Sequence, residues 1–213
     1  MIYDHVFALG CREEAIGHRF YWVSGILGIF FGLPRIHIAG KRDGMNIREE
    51  RPSDREAIET LTCQAFENHP HHEPGAKPTE HLIINRLRES GALTLSIVAE
   101  EGGEIIGQIT FSSVTINGRA SDWFGLGPVS VRPEHQGTGI GGQLIRDGLA
   151  RLKAQGAEGV VLLGEPEYYG RFGFKANPAI SYPGVPAEYF LVLPLHEDSA
   201  MPVAEVGYHK AFG

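Results

Sequence analysis

From Met45 onward the spacing of apolar residues changes period repeatedly, and each change marks an element. "NIREE" reads as a short strand. Ser53 with Glu56 three positions on has the form of a capping box, and Ile58, Leu61, Ala65 and Phe66 then fall on one helical face. A polar stretch, "ENHPHHEPGAKP", leads to a second helix from about Thr79 to Ser90 with Leu82, Ile83 and Leu87 as its apolar face. Two alternating runs follow. Leu93, Leu95, Ile97 and Ala99 point one way; after the turn "EGGE", Ile105, Ile109 and Phe111 do the same, with Gln108, Thr110 and Ser112 opposite. This predicts an antiparallel hairpin. Asn117-Gly118 turns the chain into a third strand, "WFGLGPVSV". A glycine-rich loop then opens a helix with apolar positions Ile140, Leu144, Ile145, Leu149 and Leu152, stopped at Gly156. "GVVLLG" is continuously apolar, as in a strand buried on both faces, and the segment around "AEYFLVLPL" supplies one or two more strands.

The predicted order is β-α-α-β-β-β-α-β-α-β. It describes one α/β domain over residues 45–213, with an antiparallel front half. The single strand–helix–strand crossover at the glycine loop should be parallel and right-handed. No internal repeat or low-complexity segment interrupts it.

Residues 1–44 read differently. "RFYWVSGILGIFFGL" is nearly all apolar and ends at Pro34, yet it is shorter than the roughly 20 residues that cross a bilayer. Asp4, Glu13 and Glu14 precede it and no clean cleavage site follows, which weakens a signal peptide. An interfacial anchor would need a clearer polar face. The expectation is an N-terminal extension ahead of a start at Met45, where the organised pattern begins.

Composition narrows the function. A net charge of −7 argues against a nucleic-acid backbone as partner, because counterion release needs a basic face. Cys11 and Cys63 suit no zinc spacing and are expected to be reduced thiols, consistent with a cytoplasmic location. "HPHHE", His69 to Glu73, has no second ligand group at convincing spacing and reads as a polar loop, not a metal site.

The chemistry concentrates in "SVRPEHQGTGIGGQLI". Gly137, Gly139 and Gly142 satisfy G-x-G-x-x-G, and Glu165 falls where a ribose-binding acid would stand. Two features oppose a dinucleotide site. "RPEHQ", with Pro133, separates the strand from the first glycine, and only one βαβ unit is present, late in the chain. A Walker loop is excluded, since no Gly-Lys-Ser/Thr occurs. A turn that merely packs helix on strand would not call for so many glycines, each with an entropic cost. Consecutive backbone N–H groups from Gly137 to Gly142 at a helix N-terminus instead make an anion cradle.

Read as Gln136-x-x-Gly139-x-Gly141 after "GPVSVRPEH", the loop resembles that of the GNAT superfamily of N-acetyltransferases. In particular, "LGPVSVRPEHQGTGIGGQLI" and "LLGEPEYYGRFGF" resemble a bacterial branch carrying LGPxxVxPExQ and YYxRFGF. The resemblance covers about Met45 to the C-terminus. It implies a mostly antiparallel mixed sheet with a splayed parallel pair and flanking helices, and acetyl-CoA as co-substrate with no metal. The pyrophosphate would lie on Gln136, Gly137, Thr138, Gly139, Ile140, Gly141 and Gly142, with Gln136 shaping the turn or touching a phosphate. Val129, Ser130 and Val131 would line the acyl-pantetheine, a backbone N–H there polarising the thioester carbonyl. Tyr169, four residues before Gly173-Phe174, would protonate the departing thiolate, with Tyr168 as packing. For the base that takes the amine's proton, Glu165, Glu167, His135 and a water chain stay open.

The implied activity is acetyl transfer to a primary amine of a small molecule or protein. Paired subunits, a homodimer, are common in that superfamily. The rival readings are a non-catalytic acyl-CoA sensor and an NAD-binding oxidoreductase fragment.

Overall fold

The computed structural model describes residues 44–67, 78–197, 199, 201 and 203–213. The N-terminal extension and the His69–Glu73 run fall outside them. Strand β1 (Met45–Glu49) leads into α1 (Arg55–Phe66) and α2 (Glu80–Glu89), followed by the meander β2 (Leu93–Glu101), β3 (Glu104–Ile116) and β4 (Arg119–Val131). Helix α3 (Ile140–Ala154) crosses to β5 (Gly159–Leu163), and α4 (Pro166–Tyr169) is a single turn. Four strands then follow where one or two were expected: β6 (Lys175–Ala176), β7 (Ile180–Ser181), β8 (Phe190–Pro194) and β9 (Ala204–Gly207). Two of these are two residues long, too short to carry a periodic signal. The sheet order is β1-β2-β3-β4-β5-β8-β6, with β9 bridging β3 and β7.

The expected mixed sheet is present: β1 through β4 pair antiparallel and β4 runs parallel to β5. The parallel register spans only Trp123↔Gly159, Phe124↔Val160 and Gly125↔Val161. Beyond it β4 continues along β3 (Val129↔Ile109, Val131↔Gly107), while β5 continues along β8 (Leu162↔Leu191, Leu163↔Phe190). Pro128 cannot donate to a ladder, and a register shift falls between the Ile109 and Phe111 pairings, where Gly127 and Pro128 sit on β4.

Each face of the sheet has its own layer. On one, the apolar positions of α3 pack against Leu95, Ile97, Ala99, Ile109, Phe111, Val129, Val131 and Leu162. The α3 assignments hold, and the helix ends at Gly156 with a left-handed φ of 87°. On the other, Ile58 and Leu61 of α1 and Ile84 of α2 pack on Val98 and Ile105. Farther along that face lies a cluster of Val114, Trp123, Val161, Phe190, Val192 and Val206.

Three expectations need correction. Ile105 does not share a face with Ile109 and Phe111. A bulge between the Ala99 and Glu100 pairings shifts the alternation, so Ile106 joins the α3 core and Ile105 faces α1. The buried residues of α2 are Ile84 and Leu87, while Leu82 and Ile83 are half-buried. The Ser53–Glu56 box does not form, because Pro52–Asp54 is a 3-10 turn. Asp54 takes the capping part instead: its carboxylate accepts from the Arg51 N–H at 2.6 Å and from Arg48 at 2.6 Å.

The face of β3 expected to be polar is indeed polar, yet it is covered. Gln108, Thr110 and Ser112 are fully buried beside Ser96 and Ser130. Part of their polarity is met within the layer: Gln108 Nε2 donates to Thr110 Oγ1, and Ser130 Oγ to Thr62 Oγ1 of α1 at 3.4 Å, while Gln108 Oε1 and Ser112 Oγ have no partner among the described residues. Arg88 of α2 clamps Glu50 at 2.7 and 2.9 Å, and Glu50 accepts from Ser96 at 2.5 Å.

Candidate functional site

The loop between β4 and α3 is built for backbone donors. After a 3-10 turn at Pro133–His135, Gln136 is extended, and Gly137 (φ 71°) and Gly139 (φ 89°) take left-handed conformations. The first helical bond of α3 runs from the Gln143 N–H to the Gly139 carbonyl at 3.1 Å. Among the described residues no backbone carbonyl accepts from the N–H groups of Gly137 to Gly142. Space lies ahead of them: a Cβ built on Gly137 or Gly139 would meet nothing within 4 Å. No acidic residue stands in the first turn of α3. These donors and the helix dipole together favour an anion.

Side chains fix the loop rather than fill it. The Gln136 amide donates to the Val131 carbonyl at 3.1 Å, and Thr138 Oγ1 to the His135 carbonyl at 2.5 Å. Of the two parts considered for Gln136, shaping the turn is therefore the one its contacts display. Val129 and Val131 direct their side chains into the α3 core and Ser130 directs its hydroxyl at Thr62. What this stretch can offer a ligand is backbone, because among the described residues β4 has no strand partner on its β5 side from Leu126 onward.

Tyr169 stands on the other side of the splay. It is buried in the α3-face core beside Phe174, ring centroids 6.0 Å apart. Its ring lies on Gly164, the residue after β5, so that a Cβ there would come within 2.7 Å of Tyr169 Cδ2. Tyr168 packs edge-on against Tyr169 at 4.9 Å and carries the Arg171 guanidinium on its face at 3.8 Å. Burial pushes its phenol pKa up, opposed by Arg171 and Arg146. Phe172 joins this segment to the glycine loop: Arg146 of α3 lies 5.1 Å from its ring, and Gly142 would meet its edge at 3.5 Å if given a Cβ. Sequence pattern alone did not single out Arg146 and Arg171, which bring two positive charges beside the loop.

The candidate bases differ in setting. Glu167 is exposed and His135 half-buried. Glu165 has one carboxylate oxygen, Oε2, buried without a partner among the described residues. Tyr208, after β9, was also missed, since "EVGYHK" reads only as a strand end. Its ring lies against Gly125, where a Cβ would come within 2.5 Å of Tyr208 Cε1. Among the described residues no group of three or more His, Cys, Asp or Glu side chains could hold a metal, and no helix is long and apolar enough to cross a membrane.

Comparison with known proteins agrees with this geometry. Residues 46–176 match the family described as an acetyltransferase (GNAT) domain. The chain is 34% identical over 174 residues to the uncharacterized N-acetyltransferase YhbS of Escherichia coli K12, covering 79% of this chain and 98% of the relative. Among solved structures, a GNAT family acetyltransferase from Brucella melitensis in complex with acetyl-CoA is 47% identical with a TM-score of 0.68, covering 79% of this chain and 98% of that one. The E. coli YhbS structure in complex with CoA is 31% identical with a TM-score of 0.70, covering 83% and 96%.

Proposed function

The chain belongs to the GNAT acetyltransferase family, and from that membership we propose that it transfers an acetyl group from acetyl-CoA to a primary amine by direct attack. The observation that carries this reading is the divergence of β4 and β5 after Gly125↔Val161, with donor N–H groups at one end and a buried tyrosine beside the other. Two relatives of similar fold are solved with CoA or acetyl-CoA.

In this reading Gly137 to Gly142 and the dipole of α3 bind the pyrophosphate, with Arg146 and Arg171 adding positive charge. The freed backbone of Val129 to Val131 pairs with the pantetheine arm, and one N–H there stabilises charge developing on the thioester oxygen. Tyr169 donates its proton to the leaving sulfur. The chain's contribution is orientation, carbonyl polarisation and proton delivery, without a covalent enzyme intermediate. Glu165 is the strongest candidate for the amine's proton, because its buried carboxylate oxygen has no partner among the described residues and stands where β5 ends. The acceptor is a primary amine of a small molecule or protein.

Calorimetric titration with acetyl-CoA, with NADH as a parallel ligand, tests the first step. Saturable binding of acetyl-CoA alone is expected; binding of NADH alone, or of neither, would remove the basis for these roles. Tyr169→Phe tests the second: turnover should fall about 10²-fold or more with acetyl-CoA binding retained. A sensor without catalysis would show binding and no turnover in either form.

A further inference from the structure

The turn that joins β3 to β4 carries the one asparagine of the sequence that precedes a glycine. Ile116↔Arg119 closes it as a two-residue loop, and Asn117 (φ 51°) and Gly118 (φ 73°) both take the left-handed conformation that a type I′ turn requires. Both residues are exposed. The turn does not stand alone, because β9 pairs with the end of β3 through Thr115↔Gly207 and Ile116↔Val206. Asn117 extends that ladder beyond its last strand pair. Its backbone N–H donates to the Glu205 carbonyl at 2.8 Å, its Oδ1 accepts from the Glu205 N–H at 2.9 Å, and its Nδ2 donates to the Val203 carbonyl at 3.3 Å.

Asparagine is a thermolabile residue, and an Asn-Gly pair carries its own reaction. Once it has lost its proton, the glycine backbone nitrogen attacks the asparagine Cγ. The new C–N bond closes a five-membered imide, and the side-chain nitrogen leaves as ammonia. Water then opens the imide at either carbonyl, giving aspartate or isoaspartate, with no oxidant or reductant involved. The nucleophile is unencumbered here. Gly118 has no Cβ to shield its nitrogen, open space surrounds it to 4 Å on the side where one would stand, and among the described residues no backbone carbonyl accepts from its N–H. The restraint falls on the electrophile instead: the reaction must expel the nitrogen that Val203 holds and turn away the oxygen that Glu205 holds.

We propose that Asn117 is a site of spontaneous deamidation in this protein and that the pairing of β9 governs its rate. The paired strand slows the reaction by holding both ends of the carboxamide, and each opening of β9 exposes it. Neither product restores the anchor. Aspartate keeps an acceptor for the Glu205 N–H but sets a carboxylate oxygen against the Val203 carbonyl, where a donor stood. Isoaspartate adds a main-chain carbon to a two-residue turn and breaks the Ile116↔Arg119 register. Either change loosens β9, so the site records irreversibly how often that strand has opened.

The test incubates the full chain in mildly alkaline buffer and follows the tryptic peptide that ends at Arg119, reading by mass spectrometry the replacement of the side-chain amine by a hydroxyl and the isoaspartate product. The same chain unfolded in guanidinium sets the unprotected rate, and the folded chain should react roughly tenfold or more slowly, the worth of two hydrogen bonds. Glu205→Pro removes the N–H that Asn117 Oδ1 accepts from and leaves the Glu205 carbonyl in place. It should deamidate about two- to tenfold faster than the folded parent, the worth of one hydrogen bond. If Glu205→Pro fails to fold, Val206→Ala, which shortens a buried β9 side chain and loosens the same strand, takes its place. A folded parent as fast as the unfolded chain, or a folded variant no faster than the parent, would show that β9 exerts no hold. An Asn117 left intact in folded parent and variant alike, while the unfolded chain converts, would show that the folded protein has no such site.

Discussion

Helix α3 has two glycines whose replacement by alanine should act on different properties, and the difference follows from what each would touch. Gly148 sits where α3 crosses the sheet. A Cβ there would enter the Phe111 ring, within 2.6 Å of Cζ and closer still to Cε2, with Ile97 Cδ1 at 3.5 Å behind it. In an exposed helix this change would gain about 1 kcal/mol of propensity. Here Phe111 is fully buried and cannot withdraw, so either the ring leaves its rotamer or the helix lifts by roughly 1 Å to reach ordinary contact. Lifting would loosen Leu144, Ile145 and Leu152, all fully buried. Overpacking of this kind costs about 1–3 kcal/mol, and the severity of the overlap places it at the upper end. The net expectation for Gly148→Ala is a loss of about 1–2 kcal/mol, a fall of roughly 2–8 °C in melting temperature. Denaturant unfolding should show a lower midpoint with an unchanged slope. Gly142 would meet only ordinary contacts, 3.4 Å to Arg146 Nη1 and 3.5 Å to Phe172 Cζ, so Gly142→Ala should shift stability by less than about 0.5 kcal/mol. It should instead weaken acetyl-CoA binding, because its methyl group adds bulk beside the donor N–H groups. A Gly148→Ala protein as stable as the parent would refute the argument, since it would show that α3 is not held at glycine distance from β3.

Two further outcomes follow from titratable groups. The Arg48 guanidinium, with the Arg51 N–H, holds the Asp54 carboxyl below the usual carboxylate range against the opposing effect of burial. A depressed folded pKa contributes stability above the unfolded value, near 3.9, and that contribution disappears as pH falls through the folded value. Asp54→Asn should therefore be less stable at neutral pH and lose less than the parent below about pH 4, as read by chemical denaturation at each pH; parallel curves would count against it. Burial, then the Glu59 and Glu80 carboxylates, push the Cys63 thiol up. In a Cys11→Ser background, iodoacetamide at pH 8 should label Cys63 more slowly than free cysteine, and a rate equal to free cysteine would show that burial does not protect it.

Much of this fold was legible because its elements are long and amphipathic. Leu95, Ile97, Ala99 and the α3 series Ile140 to Leu152 carry an unbroken period, and each lands in the α3-face core. Errors gathered where the period is broken locally. Ile105 was misplaced because one bulged residue inverts alternation, and nothing in "EIIGQ" marks which residue bulges. The capping box failed because Pro52 starts a 3-10 turn one residue early, which hands the acceptor position to Asp54. The glycine loop was singled out by a compact run of residue types, and Tyr169 only through the family resemblance. Tyr208 was not. It is brought to Gly125 by pairing between β9 and β3, and no local spacing records a contact made 83 positions away.

That return of β9 also ties the site to the order of synthesis. A ribosome releases the glycine loop, α3 and β5 first, and these can associate as the chain emerges. The ladder that seats Tyr208 joins Thr115 to Gly207, a long-range pairing that cannot close until β9 has been made. A nascent chain can thus form the β4–α3–β5 crossover well before Tyr208 is seated on Gly125, a contact that arrives with β9.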